Sequence, residues 1–513
     1  MKFFCYLIGF SLIFWAPTAF ADDDREEERR SREAEIFGSP ISEDEDDSEE
    51  GDDSEDEDDS EDEDEAHVEQ QPESRDQSIF GPGAFDEDAS ARRAEALLDE
   101  HDDTLAIGGR LFLQSTQSFT VDSFGSSEPL SGFSAPGLFD VYLDARPDDR
   151  VRGFFRGRLR HQFAFDGEAS EDIAAPAGST GMTPQTPEQT TLALDQLWLS
   201  FDAGRKVFFT VGRQHLRWGT GRFWNPTDFL YEQRRDPLAI VDERLGQSLI
   251  KVQYPAMEGA LNLMAVANFE GVSNLADTGG AFRADLLVGL TEIGLGVAFG
   301  RTDPLQLGAS ISTALGPIDV YADLAVLYGL ERDFWRGELS FDESGFSIPE
   351  SYRRDDEWIP QLVVGGEWGA RLGDQTTLFV GAEYFFNDTG YGDDTDLYPW
   401  LFLNGDVRPL YLGRHYGAVF AALPNPGSLQ RTTFSLSGLS NLSDQSWLMR
   451  FDYRVQPLNY LSVSTWAMVH GGRPGELQYG LDIPPVEFIP ELEDGLRVAE
   501  PLFSLGVGLI VNF

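Results

Sequence analysis

The chain has 513 residues and sets 90 Asp and Glu against 38 Lys and Arg, a formal net charge of −52. That balance, with no sizeable basic stripe, argues against nucleic acid as a partner. The single cysteine, Cys5, rules out an internal disulfide or a Cys-ligated metal site, and nothing in the composition calls for a cofactor.

Residues 1–21 read as a secretory signal. Lys2 supplies the positive end, Phe3 to Trp15 the apolar stretch, Pro17 a break, and Ala19-Phe20-Ala21 a small-x-small cleavage site. The apolar run is shorter than the roughly 20 residues a membrane-spanning helix needs, and no later run is long enough either. Cys5 sits too far inside the signal to carry a lipoprotein's lipid.

Residues 22–103 hold 38 acids and seven arginines, net −31. At their centre lies a near-repeat, DDSEEG (46–51), DDSEDE (52–57) and DDSEDE (58–63). Such a run repels itself and has nothing apolar to bury, so a disordered periplasmic segment is expected. Residues 43–65 are either a solvated tail, a weak reservoir for divalent cations, or a sleeve for a basic periplasmic partner. They lack the spacing of an EF-hand loop. The repeated tripeptide Ile36-Phe37-Gly38 and Ile79-Phe80-Gly81 suits a docking motif or chance recurrence, and a short helix is expected near 90–101.

From Thr104 the texture changes to segments that alternate every second residue. Phe139-Val141-Leu143-Ala145, Leu261-Leu263-Ala265-Ala267, Ile318-Val320-Ala322-Leu324-Val326-Tyr328 and Leu378-Val380-Ala382-Tyr384-Phe386 are examples. Their complements are polar or small: Asp140, Asp144, Asn262, Asn268, Asp319, Asp323 and Glu383. Apolar-out, polar-in alternation over roughly 10 residues is the mark of a transmembrane β-strand. Short turns (147–149, 202–205, 316–317, 456–457) largely alternate with long polar segments (166–190, 212–247, 329–360, 388–414, 471–500). The fold class predicted for 104–513 is therefore all-β, an antiparallel barrel of about 18 strands, with 16 as the alternative. An even count leaves both barrel ends in the periplasm. A soluble sandwich or β-helix explains neither the outward aromatics nor the asymmetry of the connections. A TonB-dependent transporter needs a folded plug and about 22 strands.

The last segment, Leu502 to Phe513, places Phe503, Leu505, Val507, Leu509, Val511 and Phe513 on one face. In segment 151–165, Arg152, Arg156, Arg158 and Arg160 share the other parity from Val151, Phe155, Leu159 and Phe163. An arginine facing mid-bilayer costs about 2–4 kcal/mol, so the arginines are expected to line the lumen. Asp140 and Asp144 fall on the same face, with Asp144 pairing Arg152 and Asp140 pairing Arg156 as the available register. Arg158 and Arg160 are left with fewer evident partners. Arg450, Asp452 and Arg454 repeat the theme. The set reads either as a stiffening charge ladder or as a transverse field that steers charged solutes.

The densest stretch is GRQHLRWGTGRFWNPTDFLYEQRRDP, Gly212 to Pro237. It follows a strand and is too long for a turn, so segment 212–247 is expected to fold into the barrel as a constriction. Arg213, His215, Arg217 and Arg222 offer contacts to charged groups, and Trp218 and Trp224 offer stacking surfaces. Asn225 and Asp228 frame a turn, Asp228 being available to an arginine. The plainer alternative is a loop packed down by its own aromatics and ion pairs. Gly219 and Gly221 do not make a nucleotide loop, because no helix follows a parallel strand here.

The pattern G-R-Q-x-x-x-W-G-x-G-x-x-x-N-P-x-D, Gly212 to Asp228, resembles a motif of porin-like Gram-negative outer-membrane barrels, many without assigned function. It recurs loosely in barrels associated with uptake of apolar compounds or export of polysaccharide. The likeness covers roughly 195–270, and the acidic leader departs from it. The terminal Phe513 strand resembles the signal read by the barrel-assembly machinery. The resemblance implies a protein embedded in outer-membrane lipid. The expected function is a channel passing small solutes through a water-filled lumen lined by the Arg and Asp ladders. The alternatives are an envelope scaffold or polysaccharide-export barrel, and an outer-membrane hydrolase in which His215 or His415 meets a distant acid. No local Ser, Asp or Asn pattern supports the last, and the chain is read as a non-enzyme.

Overall fold

The computed structural model describes residues 104–513 except 121–131, 165–188, 232, 301–303, 343–344, 373–375, 393 and 484–495. The expected signal, acidic segment and helix near 90–101 lie outside the described residues.

Eighteen strands, each paired antiparallel to the next, close into one barrel. They are β1 (Leu105–Thr120), β2 (Pro136–Asp148), β3 (Val151–Gln162), β4 (Thr190–Ala203), β5 (Val207–Gln214) and β6 (Gln247–Ala256). Then follow β7 (Leu261–Asn268), β8 (Gly279–Val288), β9 (Thr291–Phe299), β10 (Leu305–Leu315), β11 (Ile318–Arg336) and β12 (Glu350–Arg371). The last six are β13 (Thr377–Asn387), β14 (His415–Pro424), β15 (Thr432–Asn441), β16 (Ser446–Leu458), β17 (Leu461–Gly472) and β18 (Pro501–Asn512). Strand β18 closes on β1 from Arg110↔Asn512 onward, and the backbones of Gly109 and Phe513 bond each other in both directions. Closure removes the unpaired edges that an open sheet would carry.

Alternation decides which face each side chain takes. Leu199, Leu263, Phe282, Leu295, Leu324, Val419, Phe451 and Val507 stand exposed on the outside, whereas Asp140, Arg158, Asp323, Glu367, Glu383 and Arg450 are buried within. Water does not tolerate an apolar surface that wraps a whole barrel; the outside is the belt of a barrel that crosses a bilayer. A cation on that belt is correspondingly expensive. Leu199→Arg should destabilise the barrel by about 2–4 kcal/mol, while Ser200→Arg, one residue on and facing inward, should cost far less. Unfolding titrations of the two variants in lipid check this, and equal losses would contradict the assigned faces.

The two ends differ. Residues 149–150, 204–206, 257–260, 289–290, 316–317, 425–431 and 459–460 turn the chain at one end, where β12 also passes to β13. Both ends of the barrel segment, at β1 and β18, lie there too. The other end carries the longer connections, apart from 300–304 and the tight turn 442–445. Segment 329–360, expected as a loop, is mostly strand: β11 and β12 stay paired to Arg336↔Glu350 through two register shifts. Its polar residues are cross-strand ion pairs, Arg336–Glu350 at 3.0 Å and Arg353–Asp333 at 3.0 Å, around a buried Phe334 whose ring is tilted against Tyr352. Likewise β16 runs through the expected turn at Gln456-Pro457 and ends at Leu458, with a register shift where the proline has no N–H to donate.

Candidate functional site

Strand β5 stops at Gln214, and residues 215–246 turn into the lumen before β6 begins. Aromatic and aliphatic side chains hold this loop to three sectors of the wall. Trp218 and Leu230 pack with Leu249, Met264, Val266, Ala281 and Ala298 of β6 to β9. Phe223 and Trp224 pack with Tyr321, Val363, Phe385, Tyr416, Phe420 and Leu439 of β11 to β15. Ile240 and Val241 pack with Phe112, Leu138, Trp466 and Ile510 of β1, β2, β17 and β18. The loop therefore braces the barrel from within.

Carboxylates on the far wall fix its tip. Asp323 of β11 accepts the backbone N–H groups of Thr220 (2.8 Å) and Gly221 (2.9 Å) and the Thr220 hydroxyl (3.1 Å). Glu383 of β13 accepts three consecutive N–H groups, from Arg222 (2.7 Å), Phe223 (3.0 Å) and Trp224 (2.9 Å), together with the Tyr321 hydroxyl (2.7 Å). Glu367 of β12 receives the Arg222 guanidinium at 3.2 Å. Gly219 makes the bend possible: its φ is +97°, and a Cβ there would lie 2.7 Å from the Thr227 hydroxyl and 3.1 Å from Asp323. A buried carboxylate is tolerable only when donors surround it, and here the loop backbone supplies them.

On the near wall the ions pair among themselves. Asp144 bonds Arg152 at 2.8 Å, while Asp140 bonds Arg158 at 2.9 Å and Arg110 at 2.6 Å. The expected Asp140–Arg156 pairing is thus corrected. The strands pair two residues out from the expected register, so that Arg158, not Arg156, lies opposite Asp140, and Asp144 reaches Arg152 diagonally from its own partner Phe154. Arg158 and Arg160 are also well partnered: Arg158 reaches Asp195 at 3.3 Å, and Arg160 bonds Glu243 of the loop. Arg156 lies 3.7 Å from Asp195. Arg450 bonds Asp452 at 2.7 Å and donates to the Leu238 carbonyl of the loop at 2.6 Å, while Arg454 continues the same inward row.

Asp195 occupies this site through a β-bulge. Gly157 pairs with Leu194 and Arg156 with Gln196, so Asp195 is the extra residue. Below the bulge Leu197, Leu199 and Phe201 face out; above it Leu192 and Leu194 do, so the inserted residue switches the parity of the outward row and keeps its face. The freed Asp195 turns inward, fully buried, and accepts His215 Nε2 (2.9 Å) and the Gly246 N–H (3.2 Å). Both ends of the loop are tied to this one carboxylate.

The loop residues singled out from sequence take different places. Trp218 and Trp224 are buried anchors, and Trp224 Nε1 donates to the Leu410 carbonyl at 3.1 Å. The Arg222 guanidinium sits 3.7 Å from the centre of the Phe420 ring. Arg217 donates to the Gly221 carbonyl at 3.0 Å. The Asn225 amide oxygen turns toward Gly219, while Asp228 faces Arg244 at 3.4 Å and the Trp218 N–H. Arg213 is a correction. It belongs to β5, pairs with outward-facing Leu197, and bonds Glu270 at 3.1 Å on the outer side of the wall. His215 does meet an acid, but its Nδ1 is engaged by the Tyr231 hydroxyl at 2.8 Å, and burial raises that phenol's pKa. His415 pairs with Tyr384 at 2.7 Å on the outward row.

Sequence reading marked Asp323 and Glu383 as inward but gave them no partner, and it missed Asp195 and Glu367. The broken alternation at Leu194-Asp195-Gln196-Leu197 was the available signal for the bulge.

No protein-family model matches the chain, and no curated protein matches it in sequence. Among solved structures it is similar to OccK9 (OpdG) of Pseudomonas aeruginosa, at 10% identity over 80% of this chain and 98% of that one, with a TM-score of 0.48. It is also similar to OccAB4 of Acinetobacter baumannii (7%, 80% and 98%, 0.47) and to the outer membrane protein OpdK of Pseudomonas aeruginosa (10%, 80% and 99%, 0.43).

Proposed function

We propose that this protein is an outer-membrane channel of porin type, in which loop 215–246 is the constriction and the inward ionic rows line the path of small solutes. The observation that carries the reading is a loop braced across the lumen of a closed 18-stranded barrel. Barrels of roughly 16–18 strands leave an aqueous channel, and buried carboxylates and guanidiniums on the wall need either partners or water. The ion distribution supports selection by charge. Strands β1 to β4 gather Arg110, Arg152, Arg156, Arg158 and Arg160 against Asp140, Asp144 and Asp195, an excess of cations. Strands β8 to β13 gather Asp285, Glu292, Asp319, Asp323, Glu367 and Glu383 on inward rows. A solute in transit crosses that field.

In this reading the long connections face the exterior, the short turns face the periplasm, and the assembly machinery reads the strand ending at Phe513. The experiment is liposome swelling with the refolded full chain and a series of uncharged sugars. Swelling that falls with solute size supports the channel; vesicles that stay sealed to water-soluble solutes of every size overturn it.

A further inference from the structure

Above the loop tip, three connections of the long-loop end meet at two acids, the buried Asp444 and the half-buried Glu476. Glu476, in segment 473–500, accepts the Tyr416 hydroxyl of β14 (2.5 Å), the Asn441 amide of β15 (3.0 Å) and the backbone N–H groups of Tyr411 and Leu412 (3.2 and 3.4 Å). Asp444, in the β15–β16 turn, accepts the Tyr398 hydroxyl (3.1 Å), the same Asn441 amide (2.8 Å), the Glu476 N–H (2.8 Å), and the Ser446 N–H and hydroxyl (2.8 and 2.6 Å). Tyr398 opens the short helix α1 (Tyr398–Leu403) in segment 388–414. Tyr416, Asn441 and Ser446 are wholly buried and Tyr398 nearly so.

This knot rests on the constriction. Leu477 belongs to the cluster around Phe223 and Trp224, with Leu410 and Tyr411 packed against it, and Trp224 Nε1 donates to the Leu410 carbonyl. The loops held by Glu476 therefore form a roof on the tip of loop 215–246.

Two carboxylates share one amide donor here, and among the described residues no cation bonds either of them. The other titratable and charged groups nearby are Tyr398 and Tyr416, already donating, and Tyr411, whose ring faces the Arg234 guanidinium at 5.5 Å. Arg414 is turned to the Gly390 carbonyl and His470 to the Leu477 carbonyl. Like charges held against one amide group, with no cation between them, cannot both be kept cheaply. A proton on Glu476 removes that repulsion.

We propose that Glu476 and Asp444 form a proton-operated latch, closing the roof of segments 408–414 and 474–480 over the constriction when Glu476 is protonated and loosening it when both acids are charged. Burial, with the Asp444 charge adding to it, pushes Glu476 up to about 7. The group is an acid whose value is higher in the closed state than in solvent, so closure is favoured at low pH. That advantage is lost as pH rises from the ordinary glutamate range to about 7.

Hydrogen exchange on the full chain in lipid tests this, and it does not depend on the channel reading. Amides 409–414 and 475–480 should be protected at pH 5 and lose about tenfold or more of that protection by pH 8, after correction for intrinsic exchange. Glu476→Gln, which has no charge to gain, should show no such fall between pH 5 and pH 8, at whatever level of protection its single acceptor oxygen sustains. Equal pH profiles for wild type and variant, or an unprotected roof in wild type at pH 5, overturn the latch. A variant that fails to insert is detected by loss of heat-modifiable mobility, and the wild-type profile alone then decides. In bilayers the wild type should open more often at pH 8 than at pH 5. A silent barrel with the expected exchange profile would fault the channel and spare the latch.

Discussion

Asp195→Ala should cost the barrel about 3–5 kcal/mol, the range for removing one partner from a buried ionic group. The carboxylate is fully buried and touches Arg158, Arg156, His215 and the Gly246 N–H. Its loss leaves two guanidiniums, each almost wholly buried, with Asp140 as the nearby acid for Arg158. It also frees both ends of loop 215–246, so the damage reaches the lumen as well as the wall. Urea unfolding in lipid vesicles measures the first effect. Asp195→Asn should recover part of the stability by still accepting from Gly246. A loss below about 1 kcal/mol, the scale of one ordinary hydrogen bond, would mean that the bulge is not the keystone described here.

The paired change Asp323→Ala with Glu383→Ala should release the loop tip. Together these carboxylates accept five backbone N–H groups from Thr220 to Trp224, two hydroxyls among the other contacts, and nothing else in the wall replaces them. Each buried donor left unmade costs about 1–3 kcal/mol, enough to favour a tip that swings out and hydrates. Single-channel conductance should rise several-fold, with more current noise, while the barrel keeps its resistance to unfolding. The single change Glu383→Gln should have an intermediate effect, because the amide oxygen still accepts two donors while the amide nitrogen faces the other two. An unchanged conductance in the double variant would show that the loop does not limit the path.

How far the sequence carried these features follows from what each depends on. Strand parity is local: Ile318 to Tyr328 alternates without a break, and the outward row can be read off directly. The last strand is equally plain, since Phe503 to Phe513 keeps one apolar face. The ribbon of β11 and β12 was misread because its strands rise beyond the apolar belt. There the alternation is carried by ion pairs such as Arg353–Asp333 and by one buried residue, Phe334. The lumen depends on register and on contacts across the barrel. A register two residues out from the expected one gives Asp140 to Arg158, and the partners of Glu383 lie some 160 residues away in sequence. Arg213 was misplaced because the strand boundary falls at Gln214, which leaves the residue before it on the outward row.

One measurement reaches the base of the account, the division of each strand between lipid and a wet interior. Single cysteines at Leu199, Ser200, Phe209 and Thr210, in a chain whose Cys5 is replaced by serine, are exposed in vesicles to a membrane-impermeant maleimide. Ser200 and Thr210 should react, and Leu199 and Phe209 should be silent to it yet quenchable by nitroxide lipids when carrying a fluorophore. Equal reaction at all four, or the reverse order, would contradict the account.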